Sequence, residues 1–188
     1  MAIFEKVNKF KNIDLPMPTR ATKNAAGYDI AVAEDVIIPP FSELYSSLKE
    51  ETSMYNKNAY DLSAMSTLTK GHRPTLVTTG LKCKLKNNEY LELVIRSSSP
   101  LKYLLFLANS EGIIDADYYN NPSNEGEIFF QLINLSPVPI KLYRGDVIGQ
   151  GIIREYIKTE NDDDNTKLRE GGFGSTTDAA QPLLQSAT

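Results

Sequence analysis

Three stretches of the chain hold residue types that can do chemistry on a charged substrate. Arg96-Ser97-Ser98-Ser99-Pro100 follows a strand-patterned segment and opens a helix-forming one. Hydroxyls, free N–H groups and a guanidinium therefore converge at a helix N-terminus, a ready anion site. The same residues also read as an ordinary Ser-rich cap with a surface arginine. In Asn109-Ser-Glu-Gly112-Ile-Ile114-Asp115-Ala-Asp117-Tyr118, a carboxylate comes directly after Gly and a β-branched pair. It can leave a rigid strand, face a cleft, and orient and deprotonate water. Asn109 offers the paired donor and acceptor that reads an amide-like base edge. The alternative is a strand end and turn with solvated Asp and Tyr side chains. Finally, Arg169 precedes Gly171-Gly-Phe173-Gly174-Ser175-Thr176. This is no P-loop, since the Lys and the four-residue spacing are missing. Its glycines would let backbone amides approach phosphates, Arg169 would add charge and Phe173 could cover a planar ring; a flexible tail is the other reading.

Composition narrows the chemistry. Among 188 residues there is one Cys (Cys83), one His (His72) and no Trp. An intrachain disulfide and a Cys/His zinc site are excluded, and a Ser-His-Asp or Cys-His enzyme nearly so. What remains is carboxylates, hydroxyls, backbone amides and a hard metal. With 41% apolar residues, 23% charged residues and a net charge of −4, the chain has the make-up of one soluble domain. A pI near 5.1 argues against a nucleic acid polymer as partner. The longest clean apolar run, Leu104 to Ala108, is far too short for a membrane span. The charged start Met1-Ala-Ile-Phe-Glu-Lys does not resemble a signal peptide, so a cytoplasmic location is expected. His72 reads as a surface residue and Cys83 as a small packing residue.

Short β-patterned segments must position these groups. They are Ile3 to Phe10, Tyr28 to Val32, Asp35 to Ile38, Thr75 to Thr79, Leu81 to Leu85, Tyr90 to Ile95, Glu127 to Asn134, Val138 to Leu142 and Val147 to Arg154. Turn residues such as Lys86-Asn87-Asn88 and Arg144-Gly145-Asp146 separate them, so the chain reads as an all-β sandwich, jelly roll or barrel. Leu44, Leu48, Tyr55, Ala59 and Leu62 fall on one helical stripe, and Ser47 with Glu50 fits a capping box, predicting one or two helices there. Ser99-Pro100 predicts a short helix running to about Ala108. From Thr159 the chain turns into an acidic linker and arm, dividing it into a β domain over 1–158 and a tail over 159–188.

Five segments in order resemble the motifs of the trimeric dUTPases: Ala26-Gly27-Tyr28-Asp29-Ile30, Arg96-Ser97-Ser98, Gly112-Ile-Ile-Asp115-Ala-Asp-Tyr118, Gly145-Asp-Val-Ile-Gly-Gln150 and Gly171-Gly-Phe-Gly-Ser-Thr. The resemblance spans about Lys23 to Thr176. It implies a jelly-roll-like β-sandwich, a homotrimer with exchanged C-terminal arms, and Mg²⁺-dependent hydrolysis of dUTP to dUMP and pyrophosphate. On that template Asp115 activates the water that attacks the α-phosphorus. Tyr118 packs on the deoxyribose and excludes a 2′-hydroxyl. Asn109, with the backbone of Gly112 and Ile114, reads uracil. Arg96, Ser97, Ser98 and Gln150 hold phosphates, joined by Arg169, Gly174, Ser175 and Thr176 from a neighbouring subunit's arm, with Phe173 stacked over the base. Asp29 holds a water of the Mg²⁺ shell.

The chain also departs from that pattern. Val147 stands where the family usually carries Arg, with Arg144 the cation nearby, and Thr177 follows Thr176 where Gly is common. Insertions at about 42–73 and at Asn120 to Gly126 lengthen two connections and suggest a phage or phage-like bacterial version; the first offers a surface for a protein partner. The alternatives are a dCTP deaminase-like enzyme of the same fold and a regulatory nucleotide-sensing protein.

Overall fold

The computed structural model describes residues 1–53, 62–70 and 72–162. In chain order its strands are β1 (Ile3–Lys6), β2 (Tyr28–Ala31), β3 (Val36–Ile38), β4 (Thr75–Thr78), β5 (Leu81–Lys84), β6 (Glu89–Ile95), β7 (Leu105–Leu107), β8 (Gly112–Asp115), β9 (Phe129–Asn134), β10 (Ile140–Leu142) and β11 (Val147–Glu155). Three α-helices interrupt them among the described residues: α1 (Phe41–Ser53), α2 (Leu62–Leu68) and α3 (Ser98–Tyr103). The protein is thus mostly β with few helices, as its alternating segments predict.

A four-stranded sheet in the order β2-β11-β6-β8 carries most of the candidate residues. A three-stranded sheet, β4-β9-β7, and two pairs, β1-β5 and β3-β10, complete the described strands, and every pairing between them is antiparallel. Alternation decides which side chains turn inward. In β9 Phe130, Leu132 and Asn134 are buried while their neighbours are half-exposed. The first two join Ile30, Leu91 and Leu93 of the large sheet in one core. Asn134 is fully buried and satisfied, its Nδ2 donating to the carbonyls of Ile38 (3.1 Å) and Val138 (2.8 Å) and its Oδ1 accepting from Ser136 N–H (2.8 Å).

The local expectations fare unevenly. Ser47 lies inside α1, its hydroxyl donating back to the Glu43 carbonyl at 3.1 Å, so it caps no helix; α1 begins at Phe41, straight after Pro39-Pro40. Tyr55 and Ala59 of the expected stripe lie outside the described residues. The helix expected to reach Ala108 stops at Tyr103, because Leu104 turns left-handed (φ 52°) and Leu105–Leu107 joins β9 as a strand. His72 is half-buried rather than on the surface. Cys83 packs in the core as expected, and burial pushes its thiol pKa up to about 12, with the Glu89 charge adding to the effect.

Two positions test this packing. Strand β11 passes so close to Phe130 that a β-carbon at Gly149 would strike the ring and lie 2.7 Å from the Val94 carbonyl oxygen. Gly149→Ala should therefore lower stability by about 1–3 kcal/mol in urea unfolding. Cys83 should resist iodoacetamide at about pH 9 in the folded protein and react once urea unfolds it, since the reactive thiolate is nearly absent in the core.

Candidate active site

The candidate residues sit in two groups at different places on the large sheet. Asp29 on β2 and Gln150 on β11 are cross-strand partners, and Gln150 is in turn opposite Val94 of β6. A register shift between Val147 and Gly149 precedes Gln150, and such bulges re-aim the side chains beside them. The Gln150 amide Nε2 donates to Asp29 Oδ1 at 2.7 Å, and both side chains are half-buried. Two residues along β6 from Val94, the chain enters Arg96-Ser97-Ser98. Ser97 occupies the N-cap of α3, but in helical geometry (φ −55°, ψ −29°) and with no side-chain cap bond. The serines here thus do not act as the simple cap that was the alternative reading.

The second group belongs to β8 and its flanks. Asn109 is exposed in the turn between β7 and β8, Gly112 is opposite Leu93, and Asp115 closes β8 opposite Tyr90. Asp115 is half-buried and makes no side-chain cap to the 3-10 turn Ala116–Tyr118 that follows. It lines a cavity of about 350 Å³ with Asn87, Ala116, Asp117 and Tyr156. Tyr118 is not solvated. Only 5% exposed, it donates its hydroxyl proton to the Glu127 carbonyl (3.0 Å) and accepts from Asn124 Nδ2 (2.7 Å). In the sequence Asn87 reads only as a turn residue, and no motif marks Tyr156.

Within one chain the two groups stay apart. Tyr90 and Val94 are four residues apart on β6, and β2 lies three strands from β8, so Asp29 and Asp115 are separated by about 20 Å. That is too far for both to act on one phosphate group. Arg169, Phe173, Gly174, Ser175 and Thr176 lie outside the described residues.

The donor set speaks to a metal. Among the described residues no three His, Cys, Asp or Glu side chains converge on one point. One carboxylate, with one oxygen taking a hydrogen bond from Gln150, suits Mg²⁺ held largely by waters and substrate phosphates rather than by an all-protein cage. Val147 lines a cavity of about 360 Å³ in which the cation is Lys141. Arg144 lines a different one, with Ile13, Ala33, Glu34 and Asp35. The Arg144 backbone N–H, helped by the Lys141 charge, holds the Asp35 carboxyl below its usual range. Helix α1 in the first insertion exposes Phe41 and Tyr45, their rings 6.4 Å apart.

Comparison with known proteins identifies the family of the chain. The dUTPase family model matches residues 50–177. The deoxyuridine 5′-triphosphate nucleotidohydrolase of Lactococcus lactis subsp. lactis is 36% identical over 174 residues, covering 92% of this chain and 95% of its own. The crystal structure of dUTPase from Streptococcus mutans superposes with a TM-score of 0.64 at 34% identity, over 84% of this chain and 98% of that one. The dUTPase from phage phi11 of Staphylococcus aureus, which has a species-specific insert, matches at 16% identity and TM-score 0.59, over 87% of this chain and 95% of that one; this likeness shows the fold alone. A point mutant of that phage enzyme coordinates a structural Mg(II) ion. Over most of its length the chain is about a third identical to the Lactococcus and Streptococcus enzymes and shares the fold of the latter, and it belongs to the dUTPase family.

Proposed function

We propose that this protein hydrolyses dUTP to dUMP and pyrophosphate at sites completed by three copies of the chain. The observation that carries the reading is the separation of Asp115 from the Asp29–Gln150 pair. A protein whose hydrolytic carboxylate and phosphate-holding groups lie about 20 Å apart on one sheet can join them by assembly. The jelly-roll-like sandwich and the exchanged C-terminal arm belong to the same proposal.

In the assembled site Asp115 orients and deprotonates the attacking water. The turn between β7 and β8 receives uracil, with Asn109 supplying a donor and an acceptor, and Gly112 and Ile114 lending backbone groups. Tyr118 meets the deoxyribose. Because its hydroxyl both donates and accepts within the fold, the ring cannot yield to a 2′-hydroxyl. Arg96, Ser97, Ser98 and Gln150 bind phosphate oxygens with their donors. Arg169, Gly174, Ser175 and Thr176 add donors from the arm of a neighbouring copy, and Phe173 covers the base and excludes water. Asp29 would hold a water of the Mg²⁺ shell, and the ion's contribution when bound is to neutralise phosphate charge as the leaving group departs.

Pyrophosphate release should be seen with dUTP and Mg²⁺, be slight with UTP, dCTP or dTTP, and stop with EDTA. No pyrophosphate from dUTP would overturn the reading, and ammonia release from dCTP would replace it with the deaminase. Asp115→Asn should lower kcat by roughly 10²–10⁴ while nucleotide binding persists. The shared site has its own check. Asp115→Asn and Gln150→Ala should each be nearly inactive alone, yet trimers co-expressed from both should recover activity, because some of their sites combine an intact Asp115 with an intact Gln150. Lack of recovery in mixed trimers confirmed by light scattering would place both groups in one chain's site.

A further inference from the structure

The loop from Asn120 to Gly126 is built with more care than a connection needs. Asn121, only 4% exposed, donates from Nδ2 to the Tyr118 carbonyl (3.0 Å) and to Asn124 Oδ1 (2.7 Å). Its own Oδ1 accepts from Ser123 N–H (3.0 Å), the Ser123 hydroxyl (2.6 Å) and Asn124 N–H (3.3 Å). Asn124 Oδ1 also accepts from Gly126 N–H (3.1 Å), which leaves the Asn124 Nδ2 donor to reach the Tyr118 hydroxyl (2.7 Å). These hydrogen bonds together aim one amide at one phenol. A polar network anchored on buried Asn121 and Tyr118 and hydrogen-bonded at each member holds a single geometry.

The backbone is committed to the same end. Asn120 (φ 59°) and Glu125 (φ 60°) are left-handed, as is Gly126 (φ 79°), where a β-carbon would strike the Tyr118 carbonyl and lie 2.9 Å from Tyr119 Cα. The loop is moored from outside as well. Lys82 Nζ donates to Asn120 Oδ1 at 2.6 Å and lies 3.6 Å from the Glu125 carboxylate.

We propose that Asn124 is a positioning residue for sugar discrimination: its amide, locked by Asn121, fixes the Tyr118 ring so that a ribonucleotide's 2′-hydroxyl cannot displace it. The inference rests on Tyr118 being the surface that meets the deoxyribose. A steric filter discriminates only as far as its wall resists being pushed. The Glu127 carbonyl accepts the Tyr118 proton but is backbone and common to any residue at 127. Asn124 donates to the phenol from a side chain that substitution can remove. Removing this one hydrogen bond should let the ring retreat and admit UTP.

The test is the ratio of kcat/KM for dUTP over UTP, measured on trimeric protein whose folding is checked by circular dichroism. Asn124→Ala should lower the ratio about tenfold, the yield expected from one hydrogen bond, chiefly through a gain with UTP. A structural lesion would instead lower both substrates together. Asn124→Asp keeps the acceptor for Asn121 and Gly126 but loses the donor to Tyr118, and should lower the ratio likewise even if the alanine variant folds poorly. Tyr118→Phe removes the other end of the same bond together with the bond to the Glu127 carbonyl, so the double variant with Asn124→Ala should fall no further than Tyr118→Phe alone. An unchanged ratio in both Asn124 variants, with a lowered ratio in Tyr118→Ala, overturns the positioning role and leaves the sugar filter standing. An unchanged ratio in Tyr118→Ala overturns the filter and the positioning role together.

Discussion

The register of β6 between β11 and β8 decides where the main functional groups of this protein lie. On one edge Val94 meets Gln150, which meets Asp29; on the other Tyr90 meets Asp115. Because side chains alternate along a strand, a slip of one residue in either ladder would turn Gln150 or Asp115 to the opposite face of the sheet. The core prevents such a slip. Leu91 and Leu93 are fully buried on the inner face of β6, and the glycine at 149 lets β11 come close enough for Phe130 to fill the space beneath. The packing that stabilises the sheet therefore also sets the distance between the Asp29–Gln150 pair and Asp115, which one chain cannot close.

This geometry explains why so few special residues are needed. With one His and one Cys, neither placed among the candidate groups, reactivity has to come from position. A carboxylate at a strand end, hydroxyls following another strand, and an amide held against a second carboxylate are ordinary side chains on rigid supports. The same economy appears around Tyr118, where the phenol and two asparagine amides satisfy one another and no charge has to be buried. Where carboxylates are buried in the large sheet, at Glu89 and Glu92, the Lys86 ammonium and the Arg154 guanidinium pair with them.

Much of this was legible in the sequence, because alternation is a direct consequence of a sheet with one buried face. Strands such as Tyr90 to Ile95 and the one that starts at Ile140 could be read that way, and their turns could be read from Asn and Gly. The motifs that mark Asp29, Arg96, Asp115 and Gln150 could be read as well, and each of these residues lies in or next to a strand. Three things could not. The run Leu104 to Ala108 carries no alternation by polarity, and only its pairing with β9 shows that it is a strand. Ser47 and Glu50 have the spacing of a capping box, but that spacing recurs inside any helix, and Pro39-Pro40 sets the start earlier. The asparagines after Tyr119 carry the composition of a plain turn; that they aim at a tyrosine is tertiary information.

Val147 shows how a departure from a family pattern can be read physically. A missing guanidinium leaves both a charge and a volume to account for. Arg144, three residues away in sequence, turns to a separate cavity beside Asp35, where its own backbone N–H binds that carboxylate. The cation that shares the Val147 cavity is Lys141 on β10, whose ammonium lies 3.6 Å from Asp35 and 4.5 Å from the Tyr143 ring centroid. The Lys141 ammonium is thus held by the same carboxylate that binds the Arg144 backbone, and by an aromatic face. At this end of β11 the bulge between Val147 and Gly149 and the hydrogen bond from Gln150 to Asp29 set how the strand presents its side chains.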